Sequence, residues 1–244
     1  MQTASVLLAG CPVRLSFRFP ETAYYFRKWK YDAASSADDG AVCIPDEAFS
    51  EWESFGNRSD AFAEFRLFSE QISEYLLGHD RCVFHAAAFT FRGKAFLIAA
   101  GSGVGKTTRL RKMLELYPAE TAVINGDKPI LEYRPDTTIM VHPSPWTGKE
   151  GLHGAPAALL SGIFLLRRGE ADRIEAVSTG KAASSVYRMI FQTYMKEDVM
   201  RLAGAFTEKL LLHCPVWILT AKDVSPSTQL MADTILKEVS ADVL

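Results

Sequence analysis

Gly101, Gly103 and Gly105 alternate through a short stretch that ends in Lys106, Thr107 and Thr108, and the residues before it, Phe96 to Ala100, form an apolar run. These residue types at this spacing suit the binding of phosphate. The glycines let the backbone turn tightly, so that successive N–H groups from Gly101 through Ser102, Gly103, Val104 and Gly105 can point at one anion. Lys106 adds a positive point charge, and Thr107 supplies the hydroxyl that such loops place on Mg²⁺. Leu110, Met113, Leu114 and Tyr117 follow at helical spacing, so a helix N-terminus faces the same anion. The pattern departs from the full phosphate-binding motif at its first position, where Ala100 stands in place of glycine. A glycine-rich turn that binds nothing would leave Lys106 at the positive end of a helix dipole with no anion to balance it.

Other residues could complete this chemistry. A second apolar run, Ala122-Val123-Ile124, ends in Asn125-Gly126-Asp127-Lys128. An acid after such a strand, beside a phosphate loop, is where nucleoside-triphosphate enzymes hold Mg²⁺. Asn-Gly-Asp is also ordinary turn composition, which leaves a purely structural Asp127 as the alternative. His85 ends the short apolar stretch Cys82-Val83-Phe84 and is either a satisfied core residue or a proton acceptor. Pro145-Trp146-Thr147-Gly148-Lys149 is too rich in proline and glycine for a regular element, so Trp146 is either a substrate contact or a buried residue in a rigid turn. Lys128, Lys149 and Arg168 are candidates to balance charge on phosphate oxygens. His79, His142, His153 and His213 share no spacing with acids or cysteines, so no metal cluster is expected from them.

The elements that must position these residues follow from periodicity. Strands are expected at Val6–Leu8, at Val13–Phe19 with Arg14, Ser16 and Arg18 on the open face, and at Cys82–His85, which would put His85 near the sheet centre. Phe89–Phe91 and the phosphate-loop strand form a hairpin across Arg92-Gly93-Lys94, and Ile130–Tyr133 with Thr138–Val141 forms another. Further strands are expected at Gly162–Leu166 and Val216–Leu219. Helices are expected from Ser59 with Phe65, Phe68, Ile72 and Leu76 inward, from Thr179 with Val186, Met189 and Ile190 inward, from about Lys196 to Leu212, and from Ser225 to about Val239. Ala33 to Gly40 reads as a flexible loop. Strands interleaved with helices around a phosphate loop indicate an α/β nucleotide-binding domain over 81–244, its sheet made mixed by the hairpins, preceded by a small N-terminal α+β lobe over 1–80.

The chain has 244 residues and is 48% hydrophobic, ample for a packed core. A net charge of −2 gives no global field to draw nucleic acid or anionic membrane, so any anion recognition must be local. Cys11, Cys43, Cys82 and Cys214 are scattered, the pattern of reduced thiols in a cytoplasmic protein. No run approaches membrane-spanning length, and Met1 to Gly10 lacks the features of a signal peptide.

Taken in order, His85 in its His-Ala-Ala-Ala strand, the loop Gly101–Thr108, Asp127 and the segment Pro145–Lys149 resemble the HPr serine kinase/phosphorylase family, whose P-loop fold is shared with phosphoenolpyruvate carboxykinase. Asn125-Gly126-Asp127-Lys128-Pro129 and the tryptophan loop are most similar to the small, single-domain members found beside bacterial peptide-modification systems. The resemblance implies an ATP- and Mg²⁺-dependent kinase that phosphorylates a serine-type hydroxyl of a peptide, small protein or amino acid, and a possible homo-oligomer. It implies catalytic roles for Lys106, Asp127 and His85, with Thr107 and Asp127 on the metal. Better-known members carry two adjacent acids where this chain has Gly126-Asp127, so the reverse, phosphorolytic reaction is not carried over, and either Asp127 or His85 takes the proton. A non-catalytic nucleotide-binding partner of a peptide-modifying enzyme is the alternative.

Overall fold

A computed structural model describes residues 2–31, 41–53, 60–191 and 196–241. Two antiparallel strands open the chain, β1 (Gln2–Leu8) and β2 (Cys11–Phe17), joined through Ala9 and Gly10, both at positive φ, which suits a tight hairpin turn. β2 stops two residues short of the expected Phe19 because the Glu64 carboxylate accepts the backbone N–H groups of Arg18 and Phe19, at 2.6 and 3.2 Å. A 3₁₀ helix (Pro20–Trp29), α1 (Asp46–Glu53) and α2 (Asp60–Leu77) follow. The stretch 33–40, expected to be a loop, and Ser59, the expected helix start, lie outside the described residues. Leu15, Phe17, Phe26, Phe68 and Ile72 form an apolar cluster that also takes in Val83, Ile130 and Trp146.

The main sheet is mixed and has the order β3 (Arg81–Val83), β7 (Ile130–Tyr133), β8 (Ile139–His142), β9 (Ala158–Arg168), β5 (Lys94–Ala99), β4 (Ala86–Phe91), β6 (Thr121–Asn125). β11 (Val216–Ala221) lies parallel to the far half of β9, and β10 (Arg173–Ala176) pairs antiparallel with β11. β5, β9 and β11 run parallel, whereas the hairpins supply antiparallel neighbours. Alternation sorts the side chains onto two apolar layers. Ala87, Phe89, Phe96 and Ile98 pack with Leu110 and Met113 of α3 (Lys106–Leu116) and with Met231 and Ile235 of α6 (Val224–Ala241). Ala86, Ala88 and Leu97 pack on the other face with Ala182 and Val186 of α4 (Thr179–Tyr187) and with Ala203, Phe206 and Leu210 of α5 (Glu197–His213). No helix among the described residues is long and apolar enough to cross a membrane, and the four cysteines form no disulfide among the described residues.

Two sequence expectations need correction where they bear on the site. β3 ends at Val83, so His85 is in no strand and is not at the sheet centre. It lies at a crossing where the chain passes from one end of the sheet order to the other. Phe84 N–H donates to Pro129 O at 2.9 Å and Ala86 N–H to Asp127 O at 3.0 Å, so residues 81–88 run antiparallel to 132–125 in one register. α4 ends at Tyr187, so Met189 and Ile190 lie beyond the helix, although both pack inward on the cluster that holds Val186. Met189 O instead accepts the His85 N–H at 2.7 Å, and Phe191 N–H donates to Val83 O at 3.0 Å, so this segment pairs with the crossing. The 3₁₀ helix, α1 and β10 were not expected, and β9 is longer than the five residues of its apolar core because both its ends have hydrogen-bonded neighbours.

Candidate functional site

The hairpin β4–β5 turns at Arg92 and Gly93, both at positive φ, and delivers β5 into the glycine-rich turn. Gly103 and Gly105 have φ of 75° and 113°, a region costly for any other residue type. Gly105 caps α3 without a side-chain hydrogen bond, and α3 carries no acid in its first turn. No acid of its own first turn therefore balances the positive end of this helix. Arg109 fixes its direction, donating to Gly105 O at 3.3 Å and to Ser227 Oγ of α6 at 3.1 Å.

Lys106 is buried and folds back over the turn. Its Nζ donates to Ala100 O at 2.9 Å and to Gly101 O at 3.4 Å, and lies 3.0 Å from His85 Nε2. His85 Nε2 is also 3.4 Å from Asp127 Oδ1. Burial lowers the Lys106 pKa, with Asp127 opposing the shift. At Asp127 burial pushes upward, but the His85 contact and the charges of His85, Lys128 and Lys106 outweigh it and hold the carboxyl below its ordinary value. Asp127 is thus a carboxylate at neutral pH.

Its position is set by Asn125, a fully buried residue that sequence reasoning left without a role. Asn125 Oδ1 accepts the backbone N–H groups of Asp127 and Lys128 at 2.9 and 2.8 Å, and its amide donates to Ser144 O and Oγ. Ser144 Oγ donates in turn to Lys128 O. Glycines crowd the other side. A Cβ at Gly148 would lie 2.9 Å from the Asp127 Cβ, and one at Gly126 would lie 3.1 Å from both Thr147 O and the Leu152 Cβ. A side chain at position 126 would need Leu152 or the Thr147 carbonyl to give by a few tenths of an ångström.

A cleft of about 940 Å³, within the size range of ligand pockets, collects most of the candidates. Ser102, Gly103, Gly105, Lys106, Thr107 and Thr108 line one wall, and His85, Asp127 and Lys128 also border it. Trp146 and Lys149 line it as well, in different ways. Lys149 is exposed, whereas Trp146 is 2% exposed, donates its indole N–H to Phe65 O at 2.9 Å and stacks on the Phe65 ring. Gly101 and Val104 do not line the cleft, and neither does Arg168, which donates to Gly103 O at 2.7 Å and braces the turn. The opposite wall comes from the first part of the chain, with Tyr25, Lys28, Phe62, Phe65 and Arg66. None of these was legible as a site residue, since only the packing of α2 on Trp146 brings them there.

Lys128 is 2% exposed, donates to Ser69 Oγ at 3.0 Å and lies 3.8 Å from the Phe191 ring centre. Burial brings its pKa down to about 7, with Arg66 adding to the shift and Asp127 and Glu70 opposing it.

Phosphate and magnesium suit this arrangement on two observations: the uncapped start of α3 offers N–H donors to an anion, and the ionised Asp127 borders the same cleft as Thr107. Among the described residues no group of three or more His, Cys, Asp or Glu could hold a metal alone, so a cation here would share its ligands with a bound phosphate.

No family model matches the sequence, and no curated protein matches it. Among solved structures, the chain is similar to the HPr(Ser) kinase/phosphatase from Coxiella burnetii, a distant likeness with 11% identity over 66% of this chain and 94% of that one and a TM-score of 0.38.

Proposed function

We propose that this protein is an ATP-dependent kinase that transfers the γ-phosphate to a serine-type hydroxyl of a peptide, small protein or amino acid. The observation that carries the reading is the file Lys106–His85–Asp127, spaced at 3.0 and 3.4 Å, beside the glycine-rich turn that opens α3. The turn's amides and Lys106 hold the β- and γ-phosphates, and Thr107 and Asp127 hold Mg²⁺. The metal, when bound, neutralises charge between the phosphates. Lys106 exchanges the carbonyls of Ala100 and Gly101 for phosphate oxygens, which also releases His85 Nε2. A carboxylate held below its ordinary pKa is a weak base and a good metal ligand, so the acceptor proton falls to His85 Nε2 as the acceptor oxygen bonds to phosphorus and the bond to the ADP oxygen breaks.

Asp127→Asn should keep ATP binding but lose transfer of labelled γ-phosphate to hydroxyl peptides by about 10²-fold or more. A variant as active as the parent would refute the assignment. The alternative, a nucleotide-binding partner without turnover, draws on the absence of a second acid beside Asp127, where the sequence has Gly126. Absence of ATP turnover in the wild-type protein with its partner present would favour it.

A further inference from the structure

Positive charge is in excess along the cleft, and part of it lies away from the glycine-rich turn. Arg27, Lys28, Arg66, Lys106, Lys128 and Lys149 border it, against the acids Asp127 and Glu150, and Glu150 is itself paired with Arg111. This excess sits in a chain whose net charge is −2. Three of these cations have other engagements: Lys106 on the carbonyls of its turn, Arg27 on Tyr24 O at 2.9 Å, and Lys28 on His153 Nε2 at 3.2 Å.

Lys128 differs from them. Its ammonium carries three N–H donors and is buried at the cleft, yet its one hydrogen-bond acceptor among the described residues is Ser69 Oγ. Ser69 donates its own proton to Arg66 O at 2.7 Å, so its oxygen is fixed as an acceptor and orients the lysine. The Phe191 ring closes another side. Among the described residues the remaining donors have no partner, and the charges that act on the amine are Arg66, a like charge, along with Asp127 and Glu70. Burial beside another cation favours the neutral amine, and an anion that joined the two would restore the charged form and use the free donors.

We propose that Lys128 and Arg66 form a second oxyanion subsite, separate from the glycine-rich turn, which takes a carboxylate or phosphate carried by the hydroxyl-bearing acceptor. The acceptor class is therefore anionic. As a statement about an acceptor, this rests on the kinase reading; as a statement about an anion site, it stands without it.

The test uses the full chain and two probes, sulfate and acetate, followed by amide chemical shifts in two-dimensional NMR. Sulfate should perturb two groups of amides, those of 101–108 and those of 66–69 with 128, with separable binding curves. Lys128→Met should weaken binding at the second group by about tenfold while leaving the first, and Lys106→Ala should do the reverse. Arg66→Gln, at a half-buried position, serves if Lys128→Met does not fold, and should weaken the second group several-fold. Acetate binding at the second group as tight as sulfate identifies a carboxylate as the natural anion, whereas a preference for sulfate identifies a phosphate. No response at 66–69 and 128, or a response that survives both Lys128→Met and Arg66→Gln, overturns the subsite. Loss of the response at 101–108 alone would sink the kinase reading and leave the subsite standing.

Discussion

One imidazole nitrogen in the cleft has two neighbours that it cannot satisfy together. His85 Nε2 lies 3.0 Å from Lys106 Nζ, which can only donate, and 3.4 Å from Asp127 Oδ1, which as a carboxylate can only accept. The shorter contact needs a lone pair on Nε2 and the longer one needs a proton, so moving Lys106 onto a phosphate changes what the imidazole can do. His85→Asn should then lower kcat by about 10²-fold with little change in ATP affinity, measured by steady-state kinetics alongside a nucleotide titration. An unchanged kcat would assign the proton to Asp127. A second histidine gives a pH signature away from the cleft. His142 Nε2 lies 2.8 Å from Glu132 Oε2, which also accepts from Arg134, while Glu132 Oε1 accepts from Arg81. Burial lowers the His142 pKa more than Glu132 raises it. The unfolded chain therefore takes up this proton first, near its ordinary value of about 6.5, and stability is lost as pH falls below that point towards the folded-state value. Urea midpoints should fall more steeply between about pH 6.5 and 5 in the parent than in His142→Asn; identical slopes would remove His142 from the account.

Strands and helices in this protein deliver residues to the cleft, but two irregular connections hold them there. The crossing at Phe84–Ala86 and the turn at Asn125–Lys128 lie side by side because the ladder between residues 81–88 and 132–125 never changes register. Asn125→Ala would strand the N–H of Asp127 and leave that of Lys128 on Trp146 O alone, at a cost of about 1–3 kcal/mol in a denaturant titration, with loss of any Asp127-dependent activity. Gly148→Ala would meet both a φ of 75° and the Asp127 Cβ at 2.9 Å. It should impair Mg²⁺-dependent nucleotide binding more than it lowers the melting temperature, a comparison made by calorimetry. The strand, glycine-rich turn and helix around Lys106 were legible because the signal lies within one continuous stretch, where periodicity and spacing report local geometry. Asn125, Ser144, Ser69 and Phe191 were not, because each acts through partners brought close only by the register of the crossing or by the packing of α2. Strand-like composition at Cys82–His85 likewise hides a change of sheet neighbours, which no local pattern encodes.

Across the whole molecule, the cleft is made from two separate stretches of the chain: one wall from the strand–turn–helix unit, and its opposite wall from the 3₁₀ helix and α2. A stack of rings links them. Tyr25 lies on Phe65 at 4.5 Å between centres, Phe65 lies on Trp146 at 5.9 Å, and Phe26 meets both Phe65 and Trp146 edge-on. Beneath the stack, Phe68 is fully buried and edge-on to Phe17 and Phe26, in the cluster that also holds Val83 and Ile130. Sheet residues next to His85 and Lys128 thus share a core with the first part of the chain. Phe68→Ala opens a cavity in that core and should cost about 3–5 kcal/mol. Because the cavity lies under Trp146 rather than under α3, nucleotide binding at the turn should survive in the folded fraction, while anion binding at Lys128 and Arg66, which depends on the placement of α2, should weaken. Equal loss of both would mean that the two walls respond as one; loss of neither would mean that the shared cluster does not position the cleft.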